Sequence, residues 1–224
     1  MSRRVQAKNS IYISERMQEQ LRLIEESAVM AVVAPMGYGK TTAVSWFLNK
    51  KSAEDNTDVL RINVYSDSIP IFWNSFKSAF GGINAKIDDF AYPAGKDGIA
   101  VITEYLLNFF AALKNTVYIF IDDFHLIKDK SAVEFLCALA YGVPENIHII
   151  IAGRDRFIPP EEIVRLGRKL HRIGVENLKM NPTEIDIYAK KCGVRLNKTE
   201  VERLFKLSEG WFSAVYLNIR SFVA

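Results

Sequence analysis

"VVAPMGYGKTT", residues 32–42, joins an apolar run to the start of "AVSWFL". The run behind it, "AVMAVVA" (28–34), is short and continuous, as in a strand buried on both faces of a parallel sheet. "TTAVSWFLNK" (41–50) has the length and composition of a helix. Strand, glycine-rich turn and helix in that order make a phosphate-binding loop. Glycines let backbone N–H groups turn inward as a nest for anionic oxygens, and the helix N-terminus adds partial positive charge. Gly37 and Gly39 supply the turn. Lys40 is placed to reach the β- and γ-phosphates, Thr41 to offer its hydroxyl to Mg²⁺, and Thr42 to bond the α-phosphate. Pro35, Met36, Gly37, Tyr38, Gly39, Lys40, Thr41 and Thr42 are thus the expected nucleotide contacts. The full pattern is G-x-x-x-x-G-K-[ST], and Ala34 stands where the first glycine belongs. That position ends the strand, so an alanine there costs little. The competing reading, a helix start with chance glycines, does not account for the order of strand, turn and helix.

A nucleotide site with Mg²⁺ also needs a carboxylate at a strand tip. "VYIFIDDFH" (117–125) supplies Asp122 and Asp123 after five apolar residues. Asp122 is expected to hold the metal through water, and Asp123 to orient or deprotonate an attacking water. "IHIIIAGRDR" (147–156) ends another apolar strand with Arg154, the expected sensor of the γ-phosphate, with Arg156 as a nearby competitor. In a parallel α/β sheet these tips share the crevice at the carboxyl ends of the strands. His125 lies close enough in sequence to touch the site; a structural hydrogen bond to backbone is its expected role.

Working outward, "VLRINVY" (59–65) and "KLHRIGV" (169–175) read as further strands, the second weaker. Helices are expected over about 15–26 with Ser14 as cap, over "IPIFWNSFKSAF" (69–80), over "GIAVITEYLLNFFAAL" (98–113), and over "SAVEFLCALAYG" (131–142) with Gly142 as a stop. Strand and helix alternate from residue 28 to about 175. That pattern predicts an α/β P-loop fold, a five-stranded parallel sheet flanked by helices. After Pro182 three helical stretches follow, "TEIDIYAKKCG", "NKTEVERLFKLSEG" and "WFSAVYLNIRSFV". The expected division is 1–176 for the α/β ATPase domain and 177–224 for a small helical subdomain. Phe72, Trp73, Phe76 and Phe80 recur at helical spacing and read as core. "RLGRKLHR" (165–172) reads as a solvated helix end.

Composition narrows the function. The chain has 224 residues, 49% hydrophobic and 25% charged, enough to bury a core and unlike a disordered chain. A net charge of +3 does not argue for a nucleic-acid-binding domain. Two cysteines without ligand spacing argue against a metal framework and for a reducing compartment. Each reads as a packed small hydrophobe. No apolar stretch has the length of a membrane span, and "MSRRVQAKNS" has no apolar region to act as a secretory signal. The expectation is a cytoplasmic protein with no membrane partner.

"APMGYGKTT", "IDDFHLI", "AGRDR" and "SEGW", led by "IYISERMQEQL", occur in the order found in MalT-like regulators. These are LuxR-type transcription activators of the STAND class of ATPases, and the chain resembles them from about residue 10 to its end. The resemblance implies a switch that holds ADP at rest, exchanges it for ATP on signal binding, self-associates when ATP-bound, and is reset by slow hydrolysis. It implies signal-binding and DNA-binding regions that follow the ATPase module and are not in this chain. It matches Lys40 and Thr41 to the phosphate loop, Asp122 and Asp123 to the acidic pair, and Arg154 to the strand-four arginine. Gly153 replaces the usual serine before that arginine. Many relatives carry Gly-Leu-Pro-Leu near the helical subdomain with the proline on adenine. Aligning Gly210 there puts Phe212 at the proline position, so Tyr12, Ile13 and Phe212 are the adenine candidates.

Three other functions compete. A P-loop phosphotransferase would want an arginine-rich lid, which "GRDRFIPPEEIVRLGRKLHR" could mimic. An AAA+ remodelling motor would need a trans arginine finger and a helical-subdomain arginine, for which Arg203 and Arg220 are available. A non-hydrolysing binding module would leave the second acid of the Asp122–Asp123 pair without a task.

Overall fold

Burial is continuous along the central strands of the computed structural model, which describes residues 11–83 and 86–222. The strands are β1 (Val29–Val33), β2 (Thr57–Asn63), β3 (Thr116–Asp122), β4 (Ile147–Gly153) and β5 (Leu170–Ile173). All pair in parallel, in the order β2-β3-β4-β1-β5. Successive side chains on a strand leave by opposite faces, so each strand feeds two cores. Val29, Ile119, Ile121, Ile149 and Ile151 point to one, and Met30, Val32, Tyr118, Phe120, Ile150 and Ala152 to the other.

Helices α3 (Ile69–Gly81), α4 (Gly95–Ala111), α5 (Lys130–Gly142) and α6 (Pro160–Leu166) contribute to the first core. There Phe72, Trp73, Phe76 and Phe80 are fully buried, as their spacing predicts. Trp73 stacks on Phe76, Phe76 stacks on Phe80, and the Trp73 indole N–H donates to the Phe90 carbonyl at 2.9 Å. The second face is covered by α1 (Glu15–Arg22), α2 (Lys40–Lys51) and the short α7 (Val175–Leu178). From Met180 onward the apolar residues build a third, separate core among α8 (Pro182–Lys191), α9 (Lys198–Ser208) and α10 (Phe212–Ser221). Asn181 and Asn197 cap α8 and α9 through reciprocal bonds with Glu184 and Glu200, which fixes where both helices begin.

Some boundaries differ from the expectation. The first helix ends at Arg22 and finishes as a 3-10 turn over Leu23–Glu26. "RLGRKLHR" is not one helix end: α6 stops at Leu166, a 3-10 turn follows, and Leu170 enters β5, because β1 offers that segment an edge to pair with. Residues 1–10, read above as lacking a signal, and Val223 at the end of the last expected helix lie outside the described residues. Among the described residues no helix is long and apolar enough to cross a membrane.

Arg16 joins α1 to the start of the helical segment. Its guanidinium bonds both Glu184 oxygens, at 3.1 and 3.2 Å, and the carbonyls of Asn177 (2.8 Å) and Lys179 (2.7 Å). Burial alone would raise the Glu184 pKa, but the bonds from Arg16 and the Asn181 N–H outweigh it and hold the carboxyl below its usual value. Arg16→Ala strands a carboxylate whose side chain is only 8% exposed. After allowance for Arg16's partial exposure the expected loss is roughly 2 kcal/mol. That corresponds to a melting temperature about 4–8 °C lower. A depressed carboxyl contributes stability above its unfolded pKa and loses it as pH falls through the folded one. The gap between parent and variant should therefore narrow below pH 4.5, the ordinary glutamate value. Thermal melts at neutral and acid pH check both parts.

Candidate functional site

β1 ends at Val33, opposite Gly153 at the end of β4, and the Ala34 N–H extends the ladder to the Gly153 carbonyl at 3.3 Å. Ala34 is buried there and continues the strand without a positive φ, so a side chain is tolerated where the loop pattern has glycine. The chain then turns. Gly37 and Gly39 take φ of +84° and +78°, left-handed values that cost other residues strain. Gly39 is the N-cap of α2, whose first residue is Lys40. Among the described residues, no backbone or side-chain acceptor takes the N–H groups of Met36, Gly37, Tyr38 or Gly39. Lys40 is buried, and its ammonium donates to the carbonyls of Ala34 (2.7 Å) and Pro35 (3.0 Å). Burial pulls its pKa below the usual lysine value, Asp123 and Asp122 pull it back up, and Arg154 pushes it down. Those three charges are therefore its electrostatic neighbours. Thr41 and Thr42 begin the helix exposed.

The acidic pair sits one strand further on. Asp122 closes β3, is buried, and accepts the Asp123 N–H on Oδ1 at 2.9 Å. Asp123 adopts φ 54°, a left-handed conformation that is uncommon outside glycine, and its side chain is half exposed. Strained backbone of this kind persists where surrounding structure imposes it, often at functional sites. His125 departs from expectation. Neither ring nitrogen has a hydrogen-bond partner among the described residues, and Nδ1 lies 3.7 Å from Asp123 Oδ1. The ring, carried on the 3-10 turn Phe124–Leu126, thus lies beside Asp123 and makes no backbone hydrogen bond among the described residues. Burial, and then Arg154, lower its pKa, so the ring is neutral at physiological pH. Arg154 follows β4, exposed, with Nη2 4.0 Å from Met36 Sδ. Arg156 is also exposed, and among the described residues no hydrogen bond or ion pair ties it to the loop.

A cleft of about 340 Å³ opens beside the loop. Tyr12, Ile13 and Phe212, the three adenine candidates, line it together with Tyr38, Gly39 and Thr42. Tyr12 stacks on Tyr188 at 5.8 Å, Tyr188 meets Phe212 at 5.5 Å, and Phe212 stacks on Tyr216 at 6.3 Å. An apolar, aromatic cleft that abuts a phosphate nest has the shape and chemistry of a nucleoside site. Of the two cysteines, Cys137 is packed in the core and burial pushes its thiol up to about 12. Cys192 is half-buried at the cleft wall. No cluster of three or more His, Cys, Asp or Glu suited to a metal occurs among the described residues. Magnesium suits such a place because it is usually held by one or two protein groups plus substrate phosphates; Thr41 and Asp122 are the pair available.

Sequence reasoning missed Trp211 and Ser213. Trp211 Nε1 donates to the Met36 carbonyl at 3.0 Å, and the Ser213 hydroxyl to the Gly37 carbonyl at 3.1 Å. The signal was present as "SEGW", but spacing along the chain does not reveal which loop an indole reaches.

The profile of the AAA domain matches residues 23–158, more than half of the chain. The chain belongs to the AAA domain family. The matched part of this AAA domain holds the phosphate loop, the acidic pair and Arg154, and it ends before α6. The HTH-type transcriptional regulator MalT of Yersinia enterocolitica is 25% identical over 226 residues, covering 97% of this chain and 24% of that protein. The chain thus spans about a quarter of the length of the curated relatives it matches. Among solved structures, a STAND protein with a tetratricopeptide repeat sensor from Pyrococcus horikoshii superposes with a TM-score of 0.58 at 21% identity, over 92% of this chain and 29% of that one. Cdc6p from Pyrobaculum aerophilum gives 0.54 at 12% identity, over 84% and 52%. The sequence likeness is to MalT regulators, and the structural likenesses show a P-loop fold.

Proposed function

We propose that this AAA domain is a nucleotide switch that binds ATP and ADP with Mg²⁺ and hydrolyses ATP slowly, as the ATPase module of a signal-responsive transcriptional regulator acting in the cytoplasm. The observation that carries the reading is the convergence of Lys40, Asp122, Asp123 and Arg154 on one end of the sheet, beside an unsatisfied backbone nest and an aromatic cleft. The base lies among Tyr12, Ile13 and Phe212, and the β-phosphate lies in the nest. Lys40 exchanges its loop carbonyls for the β- and γ-phosphates. Thr41 and Asp122 would hold the metal, which would supply charge neutralisation for the phosphates. Asp123 accepts a proton from water as the water oxygen bonds to the γ-phosphorus. The bond from that phosphorus to the β–γ bridging oxygen breaks, and ADP keeps the electron pair. His125 stands beside that carboxylate, with Nδ1 3.7 Å from Asp123 Oδ1.

The division at residue 176 is part of the proposal, supported by the separate core that begins at Met180. So are self-association in the ATP state, and signal and DNA binding by regions outside this chain; the relatives are HTH-type transcriptional regulators, which supports the DNA binding.

Arg154 tests the switch. A contact made only to the γ-phosphate is a differential interaction, and only such interactions shift a two-state equilibrium. Arg154→Ala should weaken ATP roughly 10- to 150-fold, the range for one charged hydrogen bond, while ADP affinity barely moves. Dissociation constants for both nucleotides with Mg²⁺, on parent and variant, read this directly. Parallel losses would make Arg154 a loop-shaping residue and Arg156 the next sensor to examine.

A further inference from the structure

Two carbonyls of the phosphate loop are held from outside by residues about 175 positions later in the chain. Trp211 Nε1 donates to Met36 O at 3.0 Å. Ser213 donates twice to Gly37 O, from its hydroxyl and its backbone N–H, both at 3.1 Å. In a planar trans peptide the carbonyl and the next N–H point in opposite directions. No cis peptide occurs among the described residues. Holding Met36 O toward Trp211 therefore turns the Gly37 N–H away from α10. Holding Gly37 O toward Ser213 does the same for the Tyr38 N–H. Those two N–H groups have no protein acceptor among the described residues, and they sit where a nest offers donors to phosphate oxygens. The fit is close: a Cβ added to Gly37 would come within 2.5 Å of both Ser213 Oγ and Trp211 Nε1.

We propose that Trp211 and Ser213 are positioning residues for phosphate binding, which set the nest by fixing its outer carbonyls. The inference rests on the nucleotide reading above and extends it. It makes the first turn of α10 part of the phosphate site without touching the nucleotide's phosphates. The Gly210 carbonyl accepts the Met180 N–H at 2.9 Å, so this turn is tied to the start of the helical segment. A shift of that segment would then be felt as a change in phosphate affinity.

The test compares ligands that do and do not reach the nest. Trp211→Phe keeps an aromatic ring and removes the donor. ADP and ATP affinity should fall about five- to tenfold, the worth of one ordinary net hydrogen bond. AMP, which has no β-phosphate, should bind within about twofold of the parent by competition calorimetry. Ser213→Ala leaves the backbone donor in place, so a smaller loss of about two- to fivefold is expected for ADP, again not for AMP. This second variant decides the matter should the first fail to fold. Unchanged ADP affinity in Ser213→Ala and Trp211→Phe, or equal losses for AMP and ADP, would overturn the proposal. A parent protein that binds no ADP at all would instead overturn the nucleotide reading on which it rests.

Discussion

Asp123→Asn is expected to slow ATP hydrolysis roughly 10²- to 10⁴-fold while Mg·ATP still binds. An amide fills the same space and keeps a hydrogen bond to water, but it is a far poorer base. Asp122 is the carboxylate proposed for the metal; it is buried and accepts the Asp123 N–H with one oxygen. Asp123 has the opposite character: its side chain is half exposed, and its left-handed backbone turns it out of the strand line. Loss of a structural carboxylate at such a place would show as a lower melting temperature with little kinetic effect. Loss of the base leaves stability and binding close to the parent and removes the chemical step. Single-turnover hydrolysis with enzyme in excess separates the two, and an unchanged rate would remove Asp123 from the mechanism.

Lys40→Ala should weaken both ATP and ADP by about 10- to 150-fold. The ammonium is buried and held over the Ala34 and Pro35 carbonyls, so it is already at the loop before phosphate arrives. Because its proposed partners include the β-phosphate that both nucleotides carry, its loss should weaken both, in contrast to that of Arg154. Its removal also takes a donor from two loop carbonyls. Circular dichroism and a melt on the variant therefore accompany the titrations. Equal ATP affinity in a folded variant and the parent would sink the phosphate-loop reading.

Much of this arrangement is legible in the sequence because it is local. The glycine spacing around Tyr38, the run of apolar residues before Asp122 and the strand before Arg154 each declare their structure within a dozen residues. Parallel pairing follows from the alternation of such runs with helices. What the sequence hides is long-range or depends on weak elements. α6 was missed although "PPEEIVRL" carries proline and acidic residues at its start, because seven residues give too few turns for a clear period. β5 is four residues long and exists because β1 has a free edge. His125 shows the limit for single side chains. A histidine after an acidic pair is as compatible with a backbone hydrogen bond as with contact to Asp123, and only the turn of Phe124–Leu126 decides. The bonds of Trp211 and Ser213 to the loop, and of Arg16 to Glu184, join residues more than 160 positions apart, beyond any periodicity argument.

The most direct test of the central claim is an equilibrium titration of the protein with ATP and with ADP in the presence of Mg²⁺, followed by competition of one against the other. The account predicts saturable binding of one nucleotide per chain, mutual displacement at a single site, and loss of both on Lys40→Ala. A folded parent protein that binds neither nucleotide, or binds them at the same strength as Lys40→Ala does, would contradict it.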